Sequence, residues 1–140
     1  MHIAEGVLSA PVLITGAVVA AGAVAYGLKK LDPRQVMMAA ILGAAFFVAS
    51  LIHIPVGPSS VHLLLNGLLG VLLGWSAVPV IFVGLLLQAI LYGFGGLTVL
   101  GVNTATMGLG AVLSWYIFGG LLSVLKPLGA KKAAAVSGFV

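Results

Sequence analysis

From Gln35 to Leu125 the chain carries no Asp, Glu, Lys or Arg. Over the whole 140 residues, 62% are hydrophobic and 6% charged, with a mean hydropathy of +1.31. Soluble domains are about 25% charged, and a soluble core of this size has no way to hide so much apolar surface. The chain is therefore read as an integral membrane protein, an all-α bundle of spanning helices in a single domain over residues 1–140. Twenty glycines and many alanines fit that reading, because small residues let spanning helices approach closely. Gly16 with Ala20, and Gly70 with Gly74, stand at helical spacing.

Five apolar segments are expected, at 9–28, 36–52, 62–75, 78–92 and 103–125. The third and fourth are short against the roughly 20 helical residues that a bilayer core needs. A tight turn at Trp75-Ser76-Ala77, before Pro79, would join them. Lys29, Lys30 and Arg34 lie between the first two segments, and Lys126, Lys131 and Lys132 follow the fifth. Placing the N-terminus outside puts all six on the cytoplasmic face, as the positive-inside rule asks. The expected topology is N-out and C-in, in a multi-pass cell membrane protein. The n-region has no positive charge and the first apolar run ends in Lys29-Lys30, so no signal peptide cleavage is expected.

That topology gathers His2, His53 and His62 on the external face. The free amine of Met1, the His2 peptide nitrogen and the His2 Nδ1 can close two fused chelate rings on one ion. Three nitrogens in a plane leave one in-plane position open. Such a set suits Ni(II) or Cu(II), and imidazole also serves cobalt-like ions. His62 ends a loop stiffened by Pro55 and Pro58 and is the candidate for the fourth nitrogen. The competing readings are a solvated terminal histidine at position 2 and a helix-capping or interfacial histidine at 62. His53 is a weaker candidate, read as interfacial since the plane is complete without it, with a supporting contact to a ligand or a transient ligand role during loading as the alternatives.

Glu5, Ser60, Asn103 and Thr104 are weaker candidates for supporting the ligands. Asn103 and Thr104 follow the glycine-rich run 93–102, which reads as a loop folding over a small site, with Asn103 as a cap. Asn66 and Gln88 are read as interhelical hydrogen-bonding residues. No enzyme emerges. Glu5 is the only carboxylate on the histidine side, and Ser59, Ser60 and His62 have no orienting acid. Cysteine is absent, which excludes disulfides and thiolate metal sites. The net charge of +4 is too sparse for a nucleic-acid face.

Three stretches together resemble the CbiM/NikM family, the substrate-capture (S) components of energy-coupling factor importers for cobalt and nickel. They are Met1-His2-Ile3-Ala4-Glu5-Gly6-Val7-Leu8-Ser9, the Pro-Ser-Ser-Val-His run ending at His62, and Gly95-Gly96-Leu97-Thr98-Val99-Leu100-Gly101-Val102-Asn103-Thr104. The resemblance covers essentially the whole chain. It implies metal ligation by Met1, His2 and His62, and capture of a cobalt or nickel ion as cargo with no organic cofactor. A role in supplying cobalt for cobalamin biosynthesis is a further implication. The partners it implies are a transmembrane coupling (T) subunit, two cytoplasmic ATPases and a small accessory membrane protein. The chain has no Gly-x-x-x-x-Gly-Lys-Ser/Thr loop, so ATP hydrolysis would belong to those partners. Members of the family run one or two spans further, and residues 133–140 look like a helix that stops short. The loop before His62 also departs from the commonest nickel and cobalt versions. The alternatives to transport are a membrane metal-sensing or accessory subunit, and a structural scaffold.

Overall fold

The computed structural model describes residues 6–52, 60–93 and 95–126, with the backbone alone for 60–64. Every regular element in it is helical. The long helices are α1 (Ala10–Lys30), α2 (Val36–Leu51), α3 (Ser60–Leu73), α4 (Ala77–Tyr92) and α5 (Leu100–Leu125). They match the five expected segments. The largest boundary difference is at α5, which begins at Leu100 rather than Asn103. Gly95 and Gly96 take φ of +76° and +105°, and once past them nothing in the apolar run from Leu97 opposes an earlier start.

The connections are short and locally specified. α1 ends on Lys29 and Lys30, cations placed where the helix dipole favours them. Asp32 then accepts a hydrogen bond from the Arg34 N–H at 2.9 Å, and Pro33 opens a 3-10 turn over Pro33–Gln35 that leads into α2. α4 stops at Gly93, whose φ of +68° and N–H bond to the Ala89 carbonyl make a left-handed cap.

Four continuous helical stretches among the described residues are long and apolar enough to cross a membrane: Ala10–Lys30, Pro33–Leu51, Leu65–Tyr92 and Leu100–Leu125. The third contains both α3 and α4, and it is folded back on itself. The side chains of Ser50 and Gln88 are hydrogen-bonded, which sets the end of α2 beside the end of α4. Nine residue steps from Leu51 to Ser60 reach at most about 32 Å. A straight helix running from Gln88 back to Ser60 would be about 42 Å long. The turn therefore lies at Gly74–Ser76, a 3-10 segment in which Gly74 takes φ of +60°. It sits where the sequence placed a tight turn, one residue earlier.

Close glycine contacts hold this arrangement together. Gly70 meets the Ala111 backbone, Gly74 meets the Trp115 ring, and Trp75 Nε1 donates to the Tyr116 hydroxyl at 3.3 Å. The three pairs keep one constant offset, so α3 and α5 run in the same direction in direct contact, while α4 returns against α5. Gly16 meets Val102 and Gly101 meets Ala17, which seats α1 on the start of α5. On the other side α4 packs parallel to α2 through Gly43 against Val80 and Gly84 against Phe46. The core between them holds Phe46, Leu69, Leu73, Ile81, Leu85 and Met107. One end of the bundle thus carries the starts of α1, α3 and α5 with the ends of α2 and α4. The opposite end carries the hairpin turn and Lys29, Lys30 and Arg34.

Gly70→Ala should destabilise the bundle by roughly 1–3 kcal/mol, although alanine is the better helix former, because the new methyl is driven into the Ala111 carbonyl. Gly22→Ala, with nothing within 4 Å of its new methyl, should stay within about 0.5 kcal/mol. Thermal unfolding of both variants in one detergent measures the contrast, and equal shifts would contradict the close α3–α5 seam.

Candidate metal centre

The expected ligands Met1 and His2, together with Glu5 and His53, lie outside the described residues. Two neighbouring positions are fixed by backbone: Ser60 opens α3 and His62 stands in its first turn. Two turns back along each helix from the Gly70–Ala111 contact come His62 on α3 and Asn103 on α5. Asn66 and Gly70 stand four residues apart on α3, and Gly70 meets α5.

The end of the bundle where α3 begins is also where polar side chains are buried. Ser50, Asn66, Gln88, Asn103 and Thr104 are all buried, and each stands within two turns of that end. Ser50 and Gln88 form a linked pair. The Gln88 amide donates to Ser50 Oγ, which in turn donates to the Phe47 carbonyl at 2.6 Å. The interhelical role expected of Gln88 is therefore present, joining α4 to α2. The sequence reading missed Ser50, whose only signal was a hydroxyl in an apolar segment.

Three buried atoms here have no hydrogen-bond partner among the described residues: Asn66 Oδ1, Gln88 Oε1 and Thr104 Oγ1. Gln88 and Thr104 are both 0% exposed. Unmade hydrogen bonds on buried polar atoms cost about 1–3 kcal/mol each, and a few such atoms per hundred residues is normal. Three within two turns of one end leave unused acceptor capacity there.

The capping role expected of Asn103 is not what the structure shows. Val99 precedes the first residue of α5 and makes no side-chain cap. Asn103 lies inside the helix, where its backbone N–H donates to the Val99 carbonyl at 2.9 Å. The earlier start of α5 turns both Asn103 and Thr104 into buried helical residues. Among the described residues no three His, Cys, Asp or Glu side chains cluster as a metal site would require.

The CbiM family model, described as a cobalt uptake substrate-specific transmembrane region, matches residues 2–140. Among relatives, a Haemophilus influenzae protein provisionally named a metal transport protein is 49% identical over 118 residues, covering 84% of this chain and 57% of its own length. The cobalt transport protein CbiM 1 of Pelobacter propionicus is 42% identical over 117 residues, 78% of this chain and 52% of that one. The fused nickel transport protein NikMN of Rhodobacter capsulatus is 38% identical over 116 residues, 76% of this chain and 33% of the fusion. The chain thus spans about half the length, or less, of these relatives. No solved structure matches it. A match over nearly every residue, together with helices long and apolar enough to cross a bilayer, makes this chain a multi-pass membrane protein of the CbiM family of cobalt and nickel transport components.

Proposed function

We propose that the chain is the substrate-capture subunit of an ATP-driven, energy-coupling factor importer and that its cargo is a cobalt or nickel ion. The ion binds on the external face to the Met1 amine, the His2 amide nitrogen and imidazole, and His62. The observation that carries this reading is positional. The first turn of α3, with His62, stands at the end of the bundle where α1 begins. Eight residue steps from His2 to Ala10 reach up to about 28 Å, enough to bring the terminus back over that end. Gly6, with φ of +83° and no Cβ, supplies a place for the chain to reverse. The unpartnered oxygens of Asn66 and Thr104 lie beneath it.

The chemistry follows from the donor set. A metal ligand must have lost its proton, so the ion competes with protons for the amine, the imidazoles and the His2 amide. Square-planar nitrogen ligation favours nickel on ligand-field grounds, and the relatives named above include both cobalt and nickel transporters. The nucleotide chemistry falls to two partner ATPases, coupled through a T subunit, with a small accessory membrane protein completing the complex. Supply of cobalt for cobalamin synthesis is the use such a subunit would serve. The orientation consistent with this reading is N-out, with Lys29, Lys30, Arg34 and Lys126 on the cytoplasmic face.

Cysteine accessibility tests the orientation cleanly, because the native chain has no cysteine. Gly6→Cys should react with a membrane-impermeant reagent on intact cells and Arg34→Cys should not. The reverse pattern inverts the topology and moves the proposed site inside.

Metal titration tests the ligands. N-terminal acetylation, or one added residue before Met1, should abolish tight binding while a C-terminal tag leaves it intact. Affinity should rise with pH through the neutral range as ligand protons are lost. His62→Ala should cost more than the roughly 10–100-fold typical of a group that only supports a ligand, and His53→Ala should cost less. Undiminished binding by the blocked forms would rule out the terminal chelate.

A further inference from the structure

The end of the bundle opposite the proposed metal site holds a polar cavity of about 290 Å³ under the hairpin turn. Tyr26, Lys30, Gln35, Trp75, Ser76 and Tyr116 line it. Among the described residues, no carboxylate does. Its polar groups have protons to give. The Lys30 ammonium stands 5.5 Å over the Tyr26 ring, held by a cation–π contact that leaves its N–H groups for another partner. Tyr116 accepts from Trp75 Nε1 and keeps its own O–H. Ser76 is 1% exposed, and its hydroxyl has no partner among the described residues. A donor-rich, acid-free cavity with one ammonium at its lip matches an oxyanion.

Two further features identify which oxyanion. Tyr26, Trp75, Trp115 and Tyr116 gather at this level, and such aromatic belts mark the headgroup layer of a bilayer. An apolar groove of about 360 Å³ then leaves the cavity, sharing Tyr26 and Trp75 with it. It runs along α1 past Ala23, Gly22, Val19 and Val18 toward the middle of the membrane. A free phosphate would have no use for that groove, whereas an acyl chain would fill it. We propose that this is a specific site for an anionic phospholipid, its phosphate held by Lys30, Tyr116 and Ser76 and one acyl chain laid along α1. The surrounding Lys29 and Arg34 do not line the cavity and add only attraction for anionic headgroups.

The site carries its own probe, because Trp75 and Trp115 are the only two tryptophans and both line the cavity. Intrinsic fluorescence of the purified chain in neutral detergent is titrated with dioleoylphosphatidylglycerol, dioleoylphosphatidylcholine and inorganic phosphate. Phosphatidylglycerol should give a saturable change that the other two do not match at equal concentration. Lys30→Gln should weaken it by about fivefold or more, the equivalent of about 1 kcal/mol for a basic residue at the headgroup layer. Tyr116→Phe removes only the hydroxyl and should weaken it less, while Lys29→Gln and Arg34→Gln should stay within about twofold. Gly22→Phe, which blocks the groove, should weaken phosphatidylglycerol binding. Thermal unfolding of each variant confirms that the fold is retained. If phosphate alone reproduces the change, the site binds a free anion and the lipid assignment fails. If phosphatidylcholine matches phosphatidylglycerol, or if Lys29→Gln equals Lys30→Gln, there is no specific anionic-lipid site.

Discussion

Backbone contact between α5 and its neighbours is the interaction on which this fold depends. In hydrocarbon the apolar side chains gain little by leaving lipid for protein, so helix association rests on close van der Waals packing. Gly16 and Gly101 let α1 and α5 approach to near backbone contact, and Gly70 does the same for α3 and α5. Those two seams fix α5 as the common wall for the α1 side and the hairpin. Everything at the end where α1, α3 and α5 begin inherits its geometry from them. The level of His62 against Asn103 is set by the Gly70–Ala111 register, and the start of α1 is set by the Gly16–Val102 contact.

The hairpin of α3 and α4 is a consequence of the same constraint. At 14 and 16 residues these helices are each short for a span. The shortness goes with burial: Leu69, Leu73, Ile81 and Leu85 of the core lie on these two helices. Burial is heaviest there: the most apolar 18-residue window within Leu65–Tyr92 is 61% buried, against 11% for that of α1 and 17% for that of α5. A helix surrounded by other helices need not match the bilayer thickness, since its ends meet protein rather than lipid. That enclosure also explains why polar side chains collect on these elements: Asn66, Ser76 and Gln88 would be costly facing hydrocarbon.

Much of this was legible in the chain. Charge placement and apolar runs gave five helices with boundaries within three residues, and the short third and fourth segments pointed to the turn beside Trp75. The pairs Gly16/Ala20 and Gly70/Gly74 stand at helical spacing in the sequence, and all four positions are at helix contacts or buried. What the sequence hid was which face of each helix is buried. In a soluble helix the apolar stripe marks the core. Here the lipid-facing side is equally apolar: Ile14, Val18, Ile41 and Ile117 are all well exposed. Hydropathy therefore carries no face information, and only small and polar residues do. The start of α5 was misplaced for a related reason. Asn103 looks like a boundary residue because it is polar, but at that end of the bundle polar residues belong to the interior.

The two ends of the molecule divide its chemistry by charge. The end with the starts of α1, α3 and α5 has buried acceptors without partners and, among the described residues there, no Lys or Arg. The hairpin end has Lys29, Lys30, Arg34 and a cavity of donors. Under the proposed function a metal cation reaches the end where no described residue is Lys or Arg, and under the proposed lipid site the basic end holds anionic headgroups. A subunit that must admit a cation from one side and stay seated in an anionic leaflet on the other needs that separation. With only two carboxylates in the chain, neutral oxygens and nitrogens must supply most of the attraction for the ion. Specificity at the proposed site would then come from ligand geometry rather than from net charge, which is the property that separates cobalt and nickel from the far more abundant hard divalent cations.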